Sequence, residues 1–365
     1  MNFLLSAENE DALVSFLSQR LYVIKTLVPS GYEPYFRERA RYLSAHTSAR
    51  VEGNPLNEAE ALVILSGDAE PDEPAEIEVS NLQAAYELME QLAEDASARI
   101  DQGLIRAMNS VILKDLPPTQ SRRRGQYRAG PSLIVDSSDR RTIRYRPPQP
   151  AWVPDLMASL VDSIQDWLQQ GTYPPPVVAA LAHFGLVSIH PFEDGNGRTA
   201  RLLADMILRQ TDWCADGMLS VNQVIFNERD SYYEGLREAQ GLDFEMSVDA
   251  TPFVRFHMTA LSKAAAALED QAVEFSQRLD HLRTASSHVL NERQALALMY
   301  MIDVRPLSTS MYARLTDSSQ SSAYADLVGM VNQGFVIRRG KGRNTRYAIR
   351  EGLFSTDDDS REEAR

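Results

Sequence analysis

The fold of this chain is decided by residues 190–201, which read HPFEDGNGRTAR. The residues before them, 177–190, are apolar nearly all round and predict a core helix that ends at His190. After the Gly-Asn-Gly turn, a second helix is expected to begin near Arg198, with its leucines on the buried side. The stretch therefore predicts two buried helices joined by a short acidic loop.

The loop within residues 190–201 has the properties of an anion site. Its glycines let the backbone approach a phosphate closely, and the N-terminus of the next helix presents free N–H groups. Arg198 and Arg201 stand three residues apart, so they share a helix face and can clamp phosphate oxygens. Asp194 can hold Mg²⁺, which prefers one or two carboxylates with phosphate oxygens. With His190 as a candidate base, these residues predict phosphate chemistry.

At every defined position, residues 190–201 resemble the HPFx(D/E)GNGRxxR signature of the Fic family. The resemblance implies a helical core with a β-hairpin flap. It also implies transfer of AMP from ATP to a Ser, Thr or Tyr hydroxyl of a target protein, with release of pyrophosphate. In that reaction His190 would deprotonate the hydroxyl, Asp194 would bind Mg²⁺ and Arg201 would hold the γ-phosphate. The other expected ATP-binding residues of the signature are Gly195, Asn196, Gly197, Arg198, Thr199 and Ala200.

A second segment, residues 48–54 (SARVEGN), resembles the inhibitory (S/T)xxxE(G/N) helix of the same family. Its place before the core is similar to the class II arrangement. The resemblance implies that Glu52 pairs with Arg201 and removes the γ-phosphate clamp. The alternative is an exposed helix that ends at Gly53 and has no regulatory role.

Residues 115–150 break the helical pattern. Two short strand-like runs, 132–135 and 142–145, flank a turn-like segment at 136–139 and predict a hairpin. The resemblance to Fic proteins implies that this hairpin is a flap whose strand edge pairs with an extended segment of the target protein. The residues expected to dock the target are Thr142, Ile143, Arg144 and Tyr145.

The segment 227–240 (NERDSYYEGLREAQ) resembles a Fic-family helix with tandem tyrosines that touch the nucleotide. The resemblance places Tyr232 and Tyr233 near the adenine or ribose. Gln240 stands where many family members have Asn, so its contact with the nucleotide departs from the family pattern.

The composition sets the broad class of the protein. The chain has 365 residues, 44% of them apolar and 24% charged, which is typical of globular proteins and excludes a disordered or fibrous class. The net charge of −14 means that any nucleic-acid contact requires a local basic patch. A single cysteine, Cys214, cannot form an internal disulfide. With neither an apolar run long enough for a membrane span nor a basic N-terminal signal, a soluble cytoplasmic protein is expected.

The predicted architecture is mainly α, a helical Fic core with a β-hairpin flap between two other regions. An acidic linker is expected around residues 68–79, and a helix is expected to start near Asn81. The last part shows the order helix, helix, helix, hairpin, which is that of a winged helix. The predicted domains are an N-terminal helical region with the inhibitory helix at 1–80, the Fic core at 81–265 with its flap at 130–148, a linker helix and winged-helix module at 266–350, and a charged, disordered tail at 351–365.

The predicted winged-helix hairpin is basic and leaves its partner open. Its sequence contains the basic residues Arg338, Arg339, Lys341, Arg343, Arg346 and Arg350, and no acidic residue lies between them. Such a hairpin can contact the DNA backbone, or the module can dock a protein or form a homodimer.

Several alternatives to AMP transfer remain open from the sequence. Glu52 could position water to remove AMP from a modified protein, or another nucleotide such as UMP or GMP could be transferred. Self-modification is also compatible with the resemblance. The non-enzyme alternative is a nucleotide-sensing, DNA-binding regulator.

Overall fold

A computed structural model describes residues 2–5, 10–67, 69–95, 98–135, 141–285, 290–304, 306–342 and 345–350. The predicted turn at 136–139, Arg343 and the predicted tail at 351–365 lie outside the described residues. Where the chain is described, it is mostly helical, which confirms the predicted fold class. No described helix is both long enough and apolar enough to cross a lipid bilayer.

The helices and strands follow one another along the described chain with three two-stranded sheets among them. In chain order they are β1 (Asn2–Leu4), α1 (Glu10–Leu27), α2 (Glu33–Val51), α3 (Glu58–Leu65), α4 (Pro74–Glu94), α5 (Gln102–Ile112), α6 (Pro118–Ser121), β2 (Ile134–Val135), β3 (Ile143–Tyr145), α7 (Val153–Gln170), α8 (Pro175–Ile189), α9 (Asn196–Gln210), α10 (Val221–Asn227), α11 (Arg229–Gln240), β4 (Ser247–Asp249), α12 (Thr251–Ala285), α13 (Glu292–Asp303), α14 (Thr309–Leu315), α15 (Gln320–Asn332), β5 (Val336–Arg339) and β6 (Arg346–Ile349).

The chain divides into two compact units. The first consists of Met1–Thr26 and Ala40–Asp270, and the second of Leu27–Arg39 and Gln271–Arg365. In the first unit, α8 packs along α9, and α4, α5 and α7 surround this pair. Nearly every residue of α8 is buried, because its sequence is apolar all round. The predicted core helix and the helix that follows the Gly-Asn-Gly turn are therefore both confirmed.

Helix α4 begins seven residues before the predicted start, at Pro74 instead of Asn81. The Glu76 carboxylate accepts hydrogen bonds from the backbone N–H groups of Asp72 and Glu73 at 3.0 and 3.2 Å. Proline and acidic residues are both favourable in the first turn of a helix. The second half of the predicted linker at 68–79 is therefore the beginning of α4. Asn81 is no cap: it is buried and donates to the Ile112 carbonyl at 3.2 Å.

The N-terminal region is not wholly helical as predicted, because it contains strand β1. This strand pairs in parallel with β4, with Phe3 opposite Val248. The Phe3 ring is buried and lies 5.7 Å from the ring of Phe184 in α8. A strand of three residues is too short to show a period of its own, and tertiary burial of the phenylalanine decides its structure.

The predicted flap hairpin is confirmed. Strands β2 and β3 are antiparallel, with Ile134 opposite Tyr145. The Tyr145 side chain is buried, and its hydroxyl donates to the Ser188 carbonyl of α8 at 2.9 Å. The Arg146 N–H donates to the Leu242 carbonyl at 2.8 Å, so a segment after α11 supports the base of the flap.

The second unit has the predicted order of three helices and a hairpin. Asn291 caps α13, accepting from the Gln294 N–H at 2.9 Å. Strands β5 and β6 are antiparallel, and an isolated bridge joins Leu307 to Tyr347. Arg338 is exposed on β5. That this module is a winged helix stays a prediction. The same holds for its DNA or protein partner and for the domain boundaries.

Candidate active site

His190 ends helix α8 in a left-handed backbone conformation, with φ 51°. Its Nδ1 atom lies 3.4 Å from the Val187 carbonyl, so Nε2 carries the lone pair when Nδ1 is the donor. Burial lowers the pKa of His190 to about 4, and the nearby charge of Arg128 acts in the same direction. The imidazole is therefore neutral near pH 7 and able to accept a proton.

The turn after His190 is held by a reciprocal pair of hydrogen bonds. The Asn196 Nδ2 atom donates to the Phe192 carbonyl, and the Phe192 N–H donates back to Asn196 Oδ1, both at 2.9 Å. Gly195 adopts φ 77°, which glycine accepts without steric cost. The buried Asn196 side chain thus shapes the turn, and the contribution of this residue to an anion site is its backbone N–H.

A buried residue outside the signature, Asn109 in α5, supports the same turn. Its Nδ2 atom donates to the Asp194 carbonyl at 3.0 Å, and its Oδ1 atom accepts from the Gly125 N–H at 2.9 Å. The sequence analysis missed this residue. No local pattern identifies it, because Asn109 and Asp194 are 85 positions apart.

Arg201 is completely enclosed and bonded to the end of α2. Its Nε atom donates to Ser48 Oγ at 3.0 Å, and its Nη2 atom donates to Glu52 Oε1 at 2.9 Å. Burial alone would raise the pKa of Glu52, but the guanidinium groups of Arg201 and Arg198 hold it below its usual range. The structure therefore contains the Glu52–Arg201 pair that the resemblance implied.

Arg198 is paired with two carboxylates. One is Glu78 of α4, bonded through Nη1, and the other is Asp194, whose Oδ1 atom accepts from Nη2 at 2.7 Å. Glu78 Oε2 also accepts from Asn54 Nδ2 at 2.7 Å. The expectation that the acidic run around Glu78 is solvated is wrong for this residue, because its side chain is only 15% exposed.

A cavity of about 350 Å³ lies in the first unit between the flap and helices α8, α9 and α11. Its volume is within the range of small-molecule sites. The predicted site residues that line it are Glu52, Arg144, Tyr145, His190, Gly197, Tyr232, Tyr233 and Gln240. Arg229 and Arg237 line it as well and were missed. Their position four residues before and after Tyr233 on a helix is the signal that could have found them.

The tandem tyrosines occupy different settings in α11. Tyr232 is buried, and its hydroxyl lies 3.1 Å from Nε2 of His183, which is buried in the core. Tyr233 is covered on one face by the Arg229 guanidinium, 5.5 Å from the ring centroid. Gln240 Nε2 donates to Ser188 Oγ at 3.0 Å, so this amide is already engaged.

Nine predicted site residues are absent from the cavity lining that the structure describes: Asp194, Gly195, Asn196, Arg198, Thr199, Ala200, Arg201, Thr142 and Ile143. Thr199 and Ala200 are fully buried inside α9, and the Thr199 hydroxyl lies 3.3 Å from Asn109 Nδ2. Direct contact of these two side chains with a nucleotide is therefore not supported. Thr142 and Ile143 belong to the flap but do not line the cavity, and their docking role stays a prediction.

Asp194 fits the magnesium role that the sequence analysis gave it. Its Oδ1 atom accepts from Arg198 and from the Gly195 N–H, whereas Oδ2 has no hydrogen-bond partner among the described residues. The side chain is 30% exposed. In the part of the chain that is described, no group of three or more His, Cys, Asp or Glu residues could hold a metal. One carboxylate oxygen that can share Mg²⁺ with phosphate oxygens suits this cation.

Comparison with known proteins identifies the family of the segment that carries residues 190–201. The Fic/DOC family profile matches residues 99–208. The chain contains a Fic domain. A protein adenylyltransferase Fic from Nematostella vectensis is 30% identical over 174 residues, which cover 45% of this chain and 35% of that protein. This chain thus spans about a third of the length of that relative.

Solved structures show the same Fic fold. A Fic family protein from Desulfovibrio desulfuricans G20 superposes with a TM-score of 0.55 at 23% identity, covering 94% of this chain and 97% of that chain. Fic-1 from Caenorhabditis elegans superposes with a TM-score of 0.54 at 23% identity, covering 73% and 71%. At these identities the likeness extends to the fold alone.

Proposed function

We propose that this protein is an adenylyltransferase that moves AMP from ATP to a Ser, Thr or Tyr hydroxyl of a target protein. The observation that carries the proposal is the single cavity in which His190 and Gly197 of the Fic signature face the tandem tyrosines of α11. The 30% identity with a relative named protein adenylyltransferase Fic supports the same activity. Arg229 and Arg237 add positive charge to the cavity, which suits a polyphosphate.

The reaction follows from the neutral imidazole and the open helix end. His190 Nε2 takes the proton of the target hydroxyl, and the oxygen attacks the α-phosphorus while the bond to the bridging oxygen of the β-phosphate breaks. The electron pair of that bond leaves with pyrophosphate. The first hydrogen bond of α9 runs from the Thr199 N–H to the Gly195 carbonyl, so the N–H groups of Asn196 and Gly197 are available for phosphate oxygens.

Mg²⁺ is part of the proposal through Asp194. The free Oδ2 atom of this carboxylate would hold the cation against the phosphates of ATP. When bound, the cation neutralises negative charge on those phosphates.

We infer that Glu52 inhibits the transfer. Its carboxylate accepts a hydrogen bond from Arg201, which also donates to the side chain and the carbonyl of Ser48. A terminal phosphate of ATP can use this guanidinium only after the carboxylate leaves, because both anions compete for the same buried donors. Removal of Glu52 should therefore raise transfer.

The test is label transfer from ATP carrying ³²P on its α-phosphate, with self-modification as the readout. Wild type, Glu52→Gly, Glu52→Gln and Glu52→Gly/His190→Ala are compared in Mg²⁺. Label in both Glu52 single variants and loss of label in the double variant are expected, with ATP binding retained in the double variant because the base acts in the chemical step. Equal label with and without His190 would contradict its role, and equal label in wild type and Glu52→Gly would contradict inhibition.

Three other outcomes would point to the alternatives. Glu52 lines the same cavity as His190, so a water held by its carboxylate could attack an AMP-modified protein. Release of labelled AMP from the modified chain by wild type, but not by Glu52→Gly, would favour this reverse reaction. Label that appears only with α-³²P-labelled UTP or GTP would mean that UMP or GMP, and not AMP, is transferred. Binding of ATP with no transfer by any variant would favour the nucleotide-sensing regulator.

A further inference from the structure

Arg128 connects three separate backbone segments through one buried guanidinium. Only 3% of the residue is exposed. Its Nε atom donates to the His190 carbonyl at 2.8 Å, Nη1 donates to the Gly130 carbonyl at 3.0 Å, and Nη2 donates to the Pro148 carbonyl. The Arg128 backbone N–H adds a fourth bond, to the Pro191 carbonyl at 2.8 Å.

The three acceptors lie at functionally distinct places. Gly130 and Pro148 are the first and last residues of the flap as the sequence analysis bounded it, and His190 is the candidate base. No carboxylate pairs with Arg128 among the described residues, so a buried positive charge is balanced by carbonyl dipoles alone. Burying a charge in this way is costly, and burial lowers the pKa of Arg128.

The bond to the His190 carbonyl bears directly on the imidazole. His190 has φ 51°, a left-handed conformation that is sterically unfavourable for an L-residue with a side chain. Its carbonyl direction and its side-chain direction change together when the backbone rotates. A charged donor on that carbonyl therefore stabilises the orientation that turns the imidazole into the cavity.

We propose that Arg128 is a positioning residue that sets the flap and His190 in one fixed relation, so that a hydroxyl on a flap-docked segment meets the imidazole. The proposal rests on the proposed transfer reaction. Arg128 touches neither the nucleotide site nor the imidazole itself. It acts through the His190 carbonyl and through both ends of the flap.

The test uses the full chain with Glu52→Gly as the parent. Arg128→Met removes all three side-chain bonds, and Arg128→Lys keeps the charge but can reach fewer carbonyls. The matched control is Arg124→Met. Arg124 lies on the same segment as Arg128, but its side chain is exposed and forms a long surface ion pair with Asp115, at 3.8 Å. Each variant is measured for ATP binding by calorimetry, for single-turnover self-modification from ATP, and for amide hydrogen exchange.

In Arg128→Met, exchange at residues 131–135 and 141–146 should rise about tenfold, and the transfer rate should fall about tenfold or more. The Kd for ATP should stay within about twofold of the parent, because no phosphate donor is removed. Arg128→Lys should lie between the parent and Arg128→Met. Arg124→Met should match the parent in all three measurements.

Flap exchange equal to the parent in Arg128→Met would overturn the proposal, and so would faster flap exchange with an unchanged transfer rate. If amide exchange in Arg128→Met is fast throughout the first unit, that variant is destabilised as a whole and Arg128→Lys is used instead. Flap exchange and a transfer rate equal to the parent in Arg128→Lys would then overturn the proposal. A parent that transfers no label contradicts the proposed function instead. In that case the flap exchange still shows whether Arg128 holds the flap.

Discussion

At the residue scale, the electrostatic setting of His190 determines what the site can do. Burial disfavours the charged imidazolium, so the pKa falls to about 4 and the neutral base is present throughout the physiological range. Glu52 acts in the opposite direction on this pKa, but more weakly. The proposed base is therefore neutral before substrate arrives, and we propose that the Glu52–Arg201 pair is what limits the site.

This setting predicts the pH dependence of transfer by Glu52→Gly. A base is active when deprotonated, so activity is retained above its pKa, which Glu52→Gly should lower further because the Glu52 charge raises it. Single-turnover self-modification should be nearly constant from about pH 8 to about pH 5. Circular dichroism at each pH controls for unfolding. A fall in rate centred near the ordinary histidine pKa of about 6.5 would contradict the buried setting.

At the element scale, the start of α4 supplies an interaction that the sequence pattern hid. Glu78 stands in the second turn of this helix and pairs with Arg198 in the Fic signature. The predicted linker around it was inferred from its acidic composition. Local composition cannot tell a solvated acid from one that meets an arginine 120 positions away.

The Glu78 pair predicts a difference between two acids on the same helix. Glu78→Ala removes one of two carboxylates from a buried arginine and should lower the free energy of unfolding by about 1–3 kcal/mol. Glu94→Ala is the matched control and should cost about 1 kcal/mol or less. Glu94 is 70% exposed and 3.3 Å from Arg209. Urea unfolding measures both, and equal losses would contradict a special role for Glu78.

At the scale of the whole first unit, its core contains neutral histidines close to the site. His183 and His257 are buried with ring centroids 5.9 Å apart. Burial lowers the pKa of His257 to about 4 and that of His183 well below its ordinary value. Both must stay neutral for the core to stay packed, so acid should weaken the unit.

The sign of this effect predicts the behaviour of His257→Leu. Between about pH 6.5 and about pH 4, His257 is protonated in the unfolded chain but neutral in the folded protein. The free energy of unfolding therefore falls as the pH falls. From about pH 7 to about pH 5, the parent should lose about 2 kcal/mol more than His257→Leu. All three tryptophans, Trp152, Trp167 and Trp213, lie in the first unit, so their fluorescence in urea reports on it.

The control for this prediction is the opposite titration of a buried acid. Burial raises the pKa of Asp205 to about 6, so protonation of this group favours the folded state as the pH falls. Both proteins contain Asp205, and its contribution cancels in the comparison. Identical pH dependence in the parent and in His257→Leu would contradict the neutral, buried state of His257.

The two core helices, the turn between them and the flap hairpin could be predicted from the amino-acid sequence, as could the roles proposed for His190, Asp194 and the arginines. These features depend on residues within about a dozen positions of one another, where apolar periodicity, glycine and capping preferences act directly. The pairing of Glu52 with Arg201 came from resemblance to a family and from no local pattern.

The distant groups that complete the site could be identified only from the tertiary structure. Asn109 under the turn, Glu78 on Arg198 and Arg128 between the flap and His190 are joined to their partners across 85, 120 and 62 positions. Each is an ordinary polar residue in its own segment. Its role arises because packing buries it, and a buried polar group must find a partner wherever the fold places one.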